Sequence, residues 1–294
     1  MQPGDIVDRY EIVRSLGEGG MAEVYLARHT VLGSSNALKI LDAKLVSDEE
    51  TRERFLAEGR IQAQLRHPNI VPVTDVVALP GVAGLVMQYI DGPTLEDWLA
   101  KRGPLPTHEV RELFLPILAG VAEAHDHGVV HRDLKPANVL LHPKRDGGYR
   151  PMIADFGIAK IGVDNRLKHQ QRNKTRTQMR MGTLLYMAPE QILDAGTVDL
   201  RADIFALGAI LYEMATGKPA FDDPSDYGVM NKIVDGTVDE LTGLDAIDPR
   251  IAACVRRALQ RKPAERFPSC QVFAEYLADD AEPKHRTHHS PRSL

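Results

Sequence analysis

The hydrophobic pattern changes period once along this chain, and that change limits the folds open to it. Before residue 90 the apolar residues recur every second position. Tyr10-Glu11-Ile12-Val13-Arg14-Ser15-Leu16 alternates, as do Glu23-Val24-Tyr25-Leu26-Ala27-Arg28-His29 and Ala37-Leu38-Lys39-Ile40-Leu41, the signature of half-buried strands. Val76 to Ile90 is broken by Pro80, Gly81 and Gly84 and reads as two strands and a turn. After Asp91-Gly92-Pro93 the period becomes helical: Leu95 to Lys101, Thr107 to His127, Asp199 to Thr216, Pro249 to Arg261 and Ser269 to Leu277. The pattern predicts an α+β chain: a β-rich lobe over 1–90, a hinge near Gln88 to Gly92, a larger helical lobe over 91–280 and a polar tail over 281–294.

One helix is expected in the first lobe. Ser47-Asp48-Glu49-Glu50 has capping-box spacing, with Ser47 as N-cap and Glu50 three residues on. Phe55, Glu58, Ile61 and Leu65 would form its inner face, and it should stop before Pro68. Gly59 lies in its interior, where glycine costs about 1 kcal/mol against alanine. With Gln62 one turn beyond Glu58, this predicts a loosely docked helix.

Composition excludes several classes. With 36 basic and 41 acidic residues the net charge is −5, which gives no pull toward nucleic acid. Cys254 and Cys270 are the only cysteines, too few for a disulfide scaffold and consistent with a reducing, cytoplasmic setting. They read as packed thiols with no catalytic role. The N-terminus shows no secretory pattern, and no apolar run nears the roughly 20 residues of a membrane helix. Glu282 to Leu294 is polar and expected to be disordered.

The chemistry concentrates in three stretches. His131-Arg132-Asp133-Leu134-Lys135-Pro136-Ala137-Asn138 sets a carboxylate, an ammonium and an amide within six residues, from Asp133 to Asn138. Asp155-Phe156-Gly157 and Ala188-Pro189-Glu190 follow. Upstream, Gly17-Glu18-Gly19-Gly20-Met21-Ala22-Glu23-Val24 joins two strands, as a phosphate-binding turn does, although a plain glycine hairpin has the same pattern. A Rossmann reading fails because no helix begins at the glycines. Lys39 lies inside an apolar strand.

Taken together these motifs resemble the bacterial eukaryotic-like (Hanks-type) serine/threonine protein kinases, over roughly residues 7 to 278. One departure is Ala22 at the third glycine position. The resemblance implies a bilobal protein kinase fold, a small antiparallel β-sheet lobe with one main helix above a larger, mostly α-helical lobe. It implies transfer of the γ-phosphoryl of MgATP to protein Ser or Thr hydroxyls, with Mn²⁺ as an alternative metal. Asp133 would orient the hydroxyl, Lys135 neutralise the γ-phosphate, and Asn138 and Asp155 hold the metal. Lys39 would hold the α- and β-phosphates and pair with Glu58, a pair expected to form only on activation. Leu16, Gly17, Gly19, Gly20, Val24, Ala37, Met87, Gln88, Tyr89, Ile90 and Leu140 would line the nucleotide site.

The remaining roles are structural or regulatory. His131 is expected to pack under Phe156, and Arg132 to receive a phosphate. Thr183 would bond the catalytic Asp and Lys, and Asp203 brace the catalytic loop. Glu190 would pair with Arg266. The segment from Asp155 to Glu190 is basic, with Arg166, Lys168, Arg172, Lys174, Arg176 and Arg180, and it contains Thr175 and Thr177 as autophosphorylation sites. His142 to Pro151 is longer than the usual connection, and its Asp146-Gly147 predicts a surface hairpin. Protein substrates and a weak homodimer are the implied partners.

Two other functions compete with this one. A nucleotide-binding pseudokinase is disfavoured because Lys39, Glu58, Asp133, Asn138 and Asp155 are all present. A small-molecule phosphotransferase is disfavoured by Lys135, Thr183 and Ala188-Pro189-Glu190, which together build a peptide platform.

Overall fold

Alternate residues of the first strands bury one face of a sheet. Tyr10 and Ile12, Tyr25 and Ala27, and Leu38 and Ile40 form a single cluster with Val7, Val77 and Val86, as a two-residue period requires. The computed structural model describes residues 1–19, 21–156, 184–194, 198–235 and 241–279. Its strands are β1 (Ile6–Val7), β2 (Tyr10–Glu18), β3 (Ala22–His29), β4 (Ser35–Leu41), β5 (Val73–Leu79) and β6 (Val82–Gln88). They form one antiparallel sheet in the order β1-β2-β3-β4-β6-β5. The expected strand–turn–strand over 76–90 is therefore the β5–β6 hairpin.

Two helices lie between β4 and β5: α1 (Ala43–Val46) and α2 (Glu49–Gln62). The capping expectation needs correction. Ser47 is the C-cap of α1, and Asp48 is the N-cap of α2. The Asp48 carboxylate accepts a hydrogen bond from Thr51 Oγ1 at 2.7 Å. The inner face of α2 also differs from the expected one. Phe55, Leu56, Glu58, Gly59 and Gln62 are buried, while Ile61 is 37% exposed.

Loose docking of this helix is likewise not what the structure shows. A Cβ on Gly59 would lie 2.1 Å from Leu85 Cδ2 on β6, so the missing side chain is what lets helix and sheet meet. Gln62 is buried, and its Nε2 donates to the Val71 carbonyl at 3.2 Å. The intrinsic gain of about 1 kcal/mol for Gly→Ala in a helix is opposed by an overpacking cost of about 1–3 kcal/mol. Gly59→Ala should therefore lower stability by up to about 2 kcal/mol. Combining it with Leu85→Ala should show favourable coupling in a denaturant double-mutant cycle, and strict additivity would rule out the contact as the cause.

Below the sheet lie α3 (Leu95–Arg102), α4 (Thr107–Asp126), β7 (Val139–Pro143), β8 (Tyr149–Ile153), α5 (Pro189–Leu193), α6 (Arg201–Thr216), α7 (Asp226–Asp235), α8 (Pro249–Ala258) and α9 (Cys270–Ala278). α6 is buried nearly all round, from Ala202 to Ala215, which marks it as the central helix. α4 turns Val110, Phe114, Ile117 and Val121 onto the same core. Phe273 of α9 packs on Phe114 at 5.6 Å and stacks on Phe267 at 4.4 Å. Cys254 and Cys270 are free and buried, and burial pushes the Cys254 thiol up to about 12.

β7 and β8 form the hairpin expected from Asp146-Gly147, closed by Gly147 and Gly148 at φ 86° and 74°. The hinge meets this hairpin at Gly92. A Cβ there would lie 1.9 Å from the Leu141 carbonyl oxygen, so only glycine fits. Leu141 N–H bonds the Pro93 carbonyl at 2.9 Å, and Thr94 bridges to Leu140.

Candidate active site

Apolar side chains from the sheet and from the β7–β8 hairpin meet in one buried cluster between the two halves of the molecule. Ala37 of β4, Val73 of β5, Met87 of β6 and Ile90 of the hinge are buried in one cluster with Val71, Met152 and Ala154. Val24 and Leu140 pack half-buried against it. Five of the residues expected around a nucleotide, Val24, Ala37, Met87, Ile90 and Leu140, are therefore brought together. Val71, Met152 and Ala154 were missed, although Met152 and Ala154 alternate just before Asp155 and so face one way. Gln88 is held at its N–H by the Pro72 carbonyl at 3.1 Å, and Tyr89 Oη bonds Asp91 at 3.2 Å.

The glycine turn forms the rim. Gly17 pairs with Val24 in the β2–β3 ladder, and Gly19 N–H bonds the Ala22 carbonyl at 2.7 Å. Leu16 is 36% exposed there. Gly20 lies outside the described residues, as do Thr175, Thr177, Thr183, the basic residues from Arg166 to Arg180, and the tail beyond 279.

Lys39 projects from β4 toward the other half of the molecule. Its Nζ lies 2.9 Å from Asp155 Oδ1. Lys39 is thus paired with Asp155, 116 positions away, while its pairing with Glu58 is the one expected only on activation. Glu58 is buried on α2 and acts through its charge. Burial opposes the lysine's charge, but Asp155 and then Glu58 outweigh it and raise the Lys39 pKa. Burial also opposes charge on Asp155, and Lys39 again prevails, holding its carboxyl below the ordinary range. Asp155 has φ 58°, in the left-handed region that non-glycine residues enter at about 1–3 kcal/mol.

The catalytic loop runs from α4 to β7 and is braced from below. Asp203, in the first turn of α6, accepts from His131 N–H on Oδ2 at 2.7 Å and from Arg132 N–H on Oδ1 at 2.8 Å. His125 Nε2 lies 2.8 Å from the same Oδ2. Burial alone would raise the Asp203 pKa, but the hydrogen bond and charge of His125, with His131 beside them, lower it. Its folded pKa being depressed, Asp203 contributes stability present above the ordinary 3.8 and lost as pH falls through the lower folded value. Asp203→Asn should lower the melting temperature at neutral pH. It should also flatten the loss of stability below about pH 4, seen in melts from about pH 3 to 7.

His131 packs on Phe156 with ring centroids 4.7 Å apart. Its Nε2 lies 3.0 Å from the Ala154 carbonyl and its Nδ1 accepts from Asp133 N–H at 3.3 Å. Burial lowers its pKa, so it is a neutral imidazole protonated on Nε2. Asn138 Nδ2 donates to the Asp133 carbonyl at 2.8 Å, which leaves the amide oxygen as the end able to bind a cation. Lys135 Nζ lies 3.4 Å from Asp133 Oδ2. The backbone carbonyl of Asn138 accepts from Ala154 N–H at 2.9 Å, tying the loop to the residue before Asp155.

At the far end, Arg266 is fully buried and forks onto Glu190 at 2.7 and 2.8 Å. Gln191, which the sequence did not single out, bonds the Arg132 carbonyl through Nε2 at 2.9 Å. A glutamine one place after Ala188-Pro189-Glu190 carries no periodic or charge signal, so only the fold reveals this contact.

A bilobal arrangement with a lysine and an aspartate meeting across the cleft defines the protein kinase fold. The protein kinase domain family matches residues 10–277, and the chain belongs to that family, whose members use ATP and a divalent metal. It is 37% identical over 274 residues to the serine/threonine-protein kinase PknF of Mycobacterium tuberculosis, covering 91% of this chain and 55% of that protein. It is 36% identical to the serine/threonine-protein kinase Pkn1 of Myxococcus xanthus, over 91% of this chain and 38% of that protein. The solved kinase domain of Mycobacterium tuberculosis PknI superposes with a TM-score of 0.68 at 32% identity, over 94% of this chain and 98% of that one. The chain thus spans between about two fifths and just over half the length of these curated relatives. Among the described residues no helix is long and apolar enough to cross a membrane.

Proposed function

We propose that this domain transfers the γ-phosphoryl of MgATP to Ser or Thr hydroxyls of proteins, working in the cytoplasm. The observation that carries the reading is the meeting of Lys39 with Asp155 at 2.9 Å, with Asn138 and Asp133 on the adjoining loop and a buried apolar cluster beside them. Apolar side chains of that kind suit a flat base, and the polar groups follow where phosphates would run. Residues 1–90 supply the nucleotide side, 91–280 the loop and peptide platform, and 281–294 a polar tail.

The Asp155 carboxylate and the free oxygen of the Asn138 amide are hard donors that fit Mg²⁺, or Mn²⁺ in its place. When bound, the metal neutralises phosphate charge. Lys39 holds the α- and β-phosphates, and Glu58 adds the charge that keeps it protonated. Asp133 accepts the substrate hydroxyl's proton and aims its oxygen, while Lys135 offsets charge on the transferred group. Regulation would run through Thr175 and Thr177, with Arg132 receiving the phosphate. Pairing of two copies into a weak homodimer belongs to this reading, and nucleic acid does not.

Incubation with MgATP followed by phosphosite mapping tests the proposal. Phosphate is expected on Thr175 or Thr177, and on an added protein acceptor. Nucleotide binding with no transfer to any protein would favour the pseudokinase alternative.

A further inference from the structure

Arg132, the residue before Asp133, has φ 63° and so cannot hold its conformation by local preference. Both of its backbone polar groups are held from outside. Its N–H is taken by Asp203 Oδ1 at 2.8 Å. Its carbonyl, half of the peptide unit that carries Asp133, accepts from Gln191 Nε2 at 2.9 Å. The other end of the same amide is also engaged: Gln191 Oε1 accepts from Ala188 N–H at 2.9 Å. An uncharged amide can donate to one chain and accept from another at once. Glutamate lacks the donor, and leucine lacks both groups.

We infer that Gln191 is a positioning residue for Asp133. It fixes the Arg132–Asp133 peptide plane only while the Ala188-Pro189-Glu190 turn is formed, so orientation of the carboxylate depends on the peptide platform. The recess between the two is small, and Asp133, Leu134, Tyr186, Met187, Gln191 and Asp203 are among the residues that line it, so the amide and the Asp133 carboxylate share one wall system. This rests on the reading of Asp133 as the group that orients the hydroxyl.

The test compares the full chain with Gln191→Glu and Gln191→Leu. MgATP is the donor and dephosphorylated casein the acceptor, with all enzymes brought to equal phosphate content. Gln191→Glu keeps the bond to Ala188 N–H but sets a carboxylate oxygen against the Arg132 carbonyl. Its kcat should fall about tenfold with KM for casein and ATP unchanged within about twofold, because misplacing a reacting group slows transfer without weakening binding. Gln191→Leu should show the same fall in kcat together with a raised KM for casein. Parent-like kcat in Gln191→Glu overturns the inference. So does a rise in casein KM equal to the fall in kcat, or a collapsed melting transition in both variants, since either makes Gln191 part of the platform alone. A parent chain as inert as Asp133→Asn would sink the kinase reading itself, and this inference with it.

Discussion

Asp133→Asn is expected to slow phosphoryl transfer to protein acceptors by about 10²–10⁴-fold, the range for losing a positioned acid–base group. The geometry makes this a selective change. The backbone of residue 133 is held by His131 and Asn138, at 3.3 and 2.8 Å, and neither contact uses the carboxylate. An asparagine therefore sits where the aspartate sat, with an amide in place of a proton acceptor. Around the carboxylate, Lys135 Nζ lies 3.4 Å and Asn138 Nδ2 3.5 Å from Oδ2, and losing contacts of that length alters folding stability little. Single-turnover assays should show the loss in the transfer step, with ATP affinity within about threefold of the parent. An Asp133→Asn variant that labels casein at the parent rate would remove Asp133 from the mechanism.

Glu190→Ala is expected to act on stability on a comparable scale. Arg266 has no exposed side-chain surface and is held by both oxygens of Glu190 and by the carbonyls of Arg201, Gln260 and Arg261. Removing the carboxylate strands a buried guanidinium charge, which costs about 3–5 kcal/mol. At about 2–4 °C per kcal/mol for a domain of this size, the melting temperature should fall by roughly 10 °C. The double variant Glu190→Ala with Arg266→Met should recover much of that loss, because the stranded charge goes with the arginine. A single variant melting within about 2 °C of the parent would show that the carbonyls alone satisfy Arg266.

The two-residue and helical periods made the architecture legible, because burial of one face dictates both. The strands around Ile12, Ala27 and Leu38 and the helices around Phe114 and Phe205 lie where their patterns put them. The cap of α2 was misread because Ser47 and Asp48 are both good caps, and a preceding helix, α1, engages the serine. Ile61 was misread because the α2 face is set by two surfaces. Leu56 and Gly59 meet β6, and Glu58 and Gln62 turn toward the cleft. At the site, the motifs named Lys39, Asp133, Asn138 and Asp155. They did not reveal that Lys39 sits on Asp155 in this state, since a choice between two carboxylates depends on how the lobes close. Gln191 was invisible, and Gly92 legible only as the end of a hinge, for a related reason. Each matters through one contact with backbone far away in sequence, which no local pattern encodes.

The bare Cα of Gly92 also decides where the molecule can bend. With Leu141 O pressed against it and Pro93 bonded to Leu141, the chain from Gly92 onward is fastened to the strand that carries Leu140. Swinging of the sheet over the helices must therefore pivot before Gly92, within Gln88 to Asp91. Leu140 is then fixed to the helical half, and any shift of Val24 and Ala37 relative to it would be taken up before Gly92.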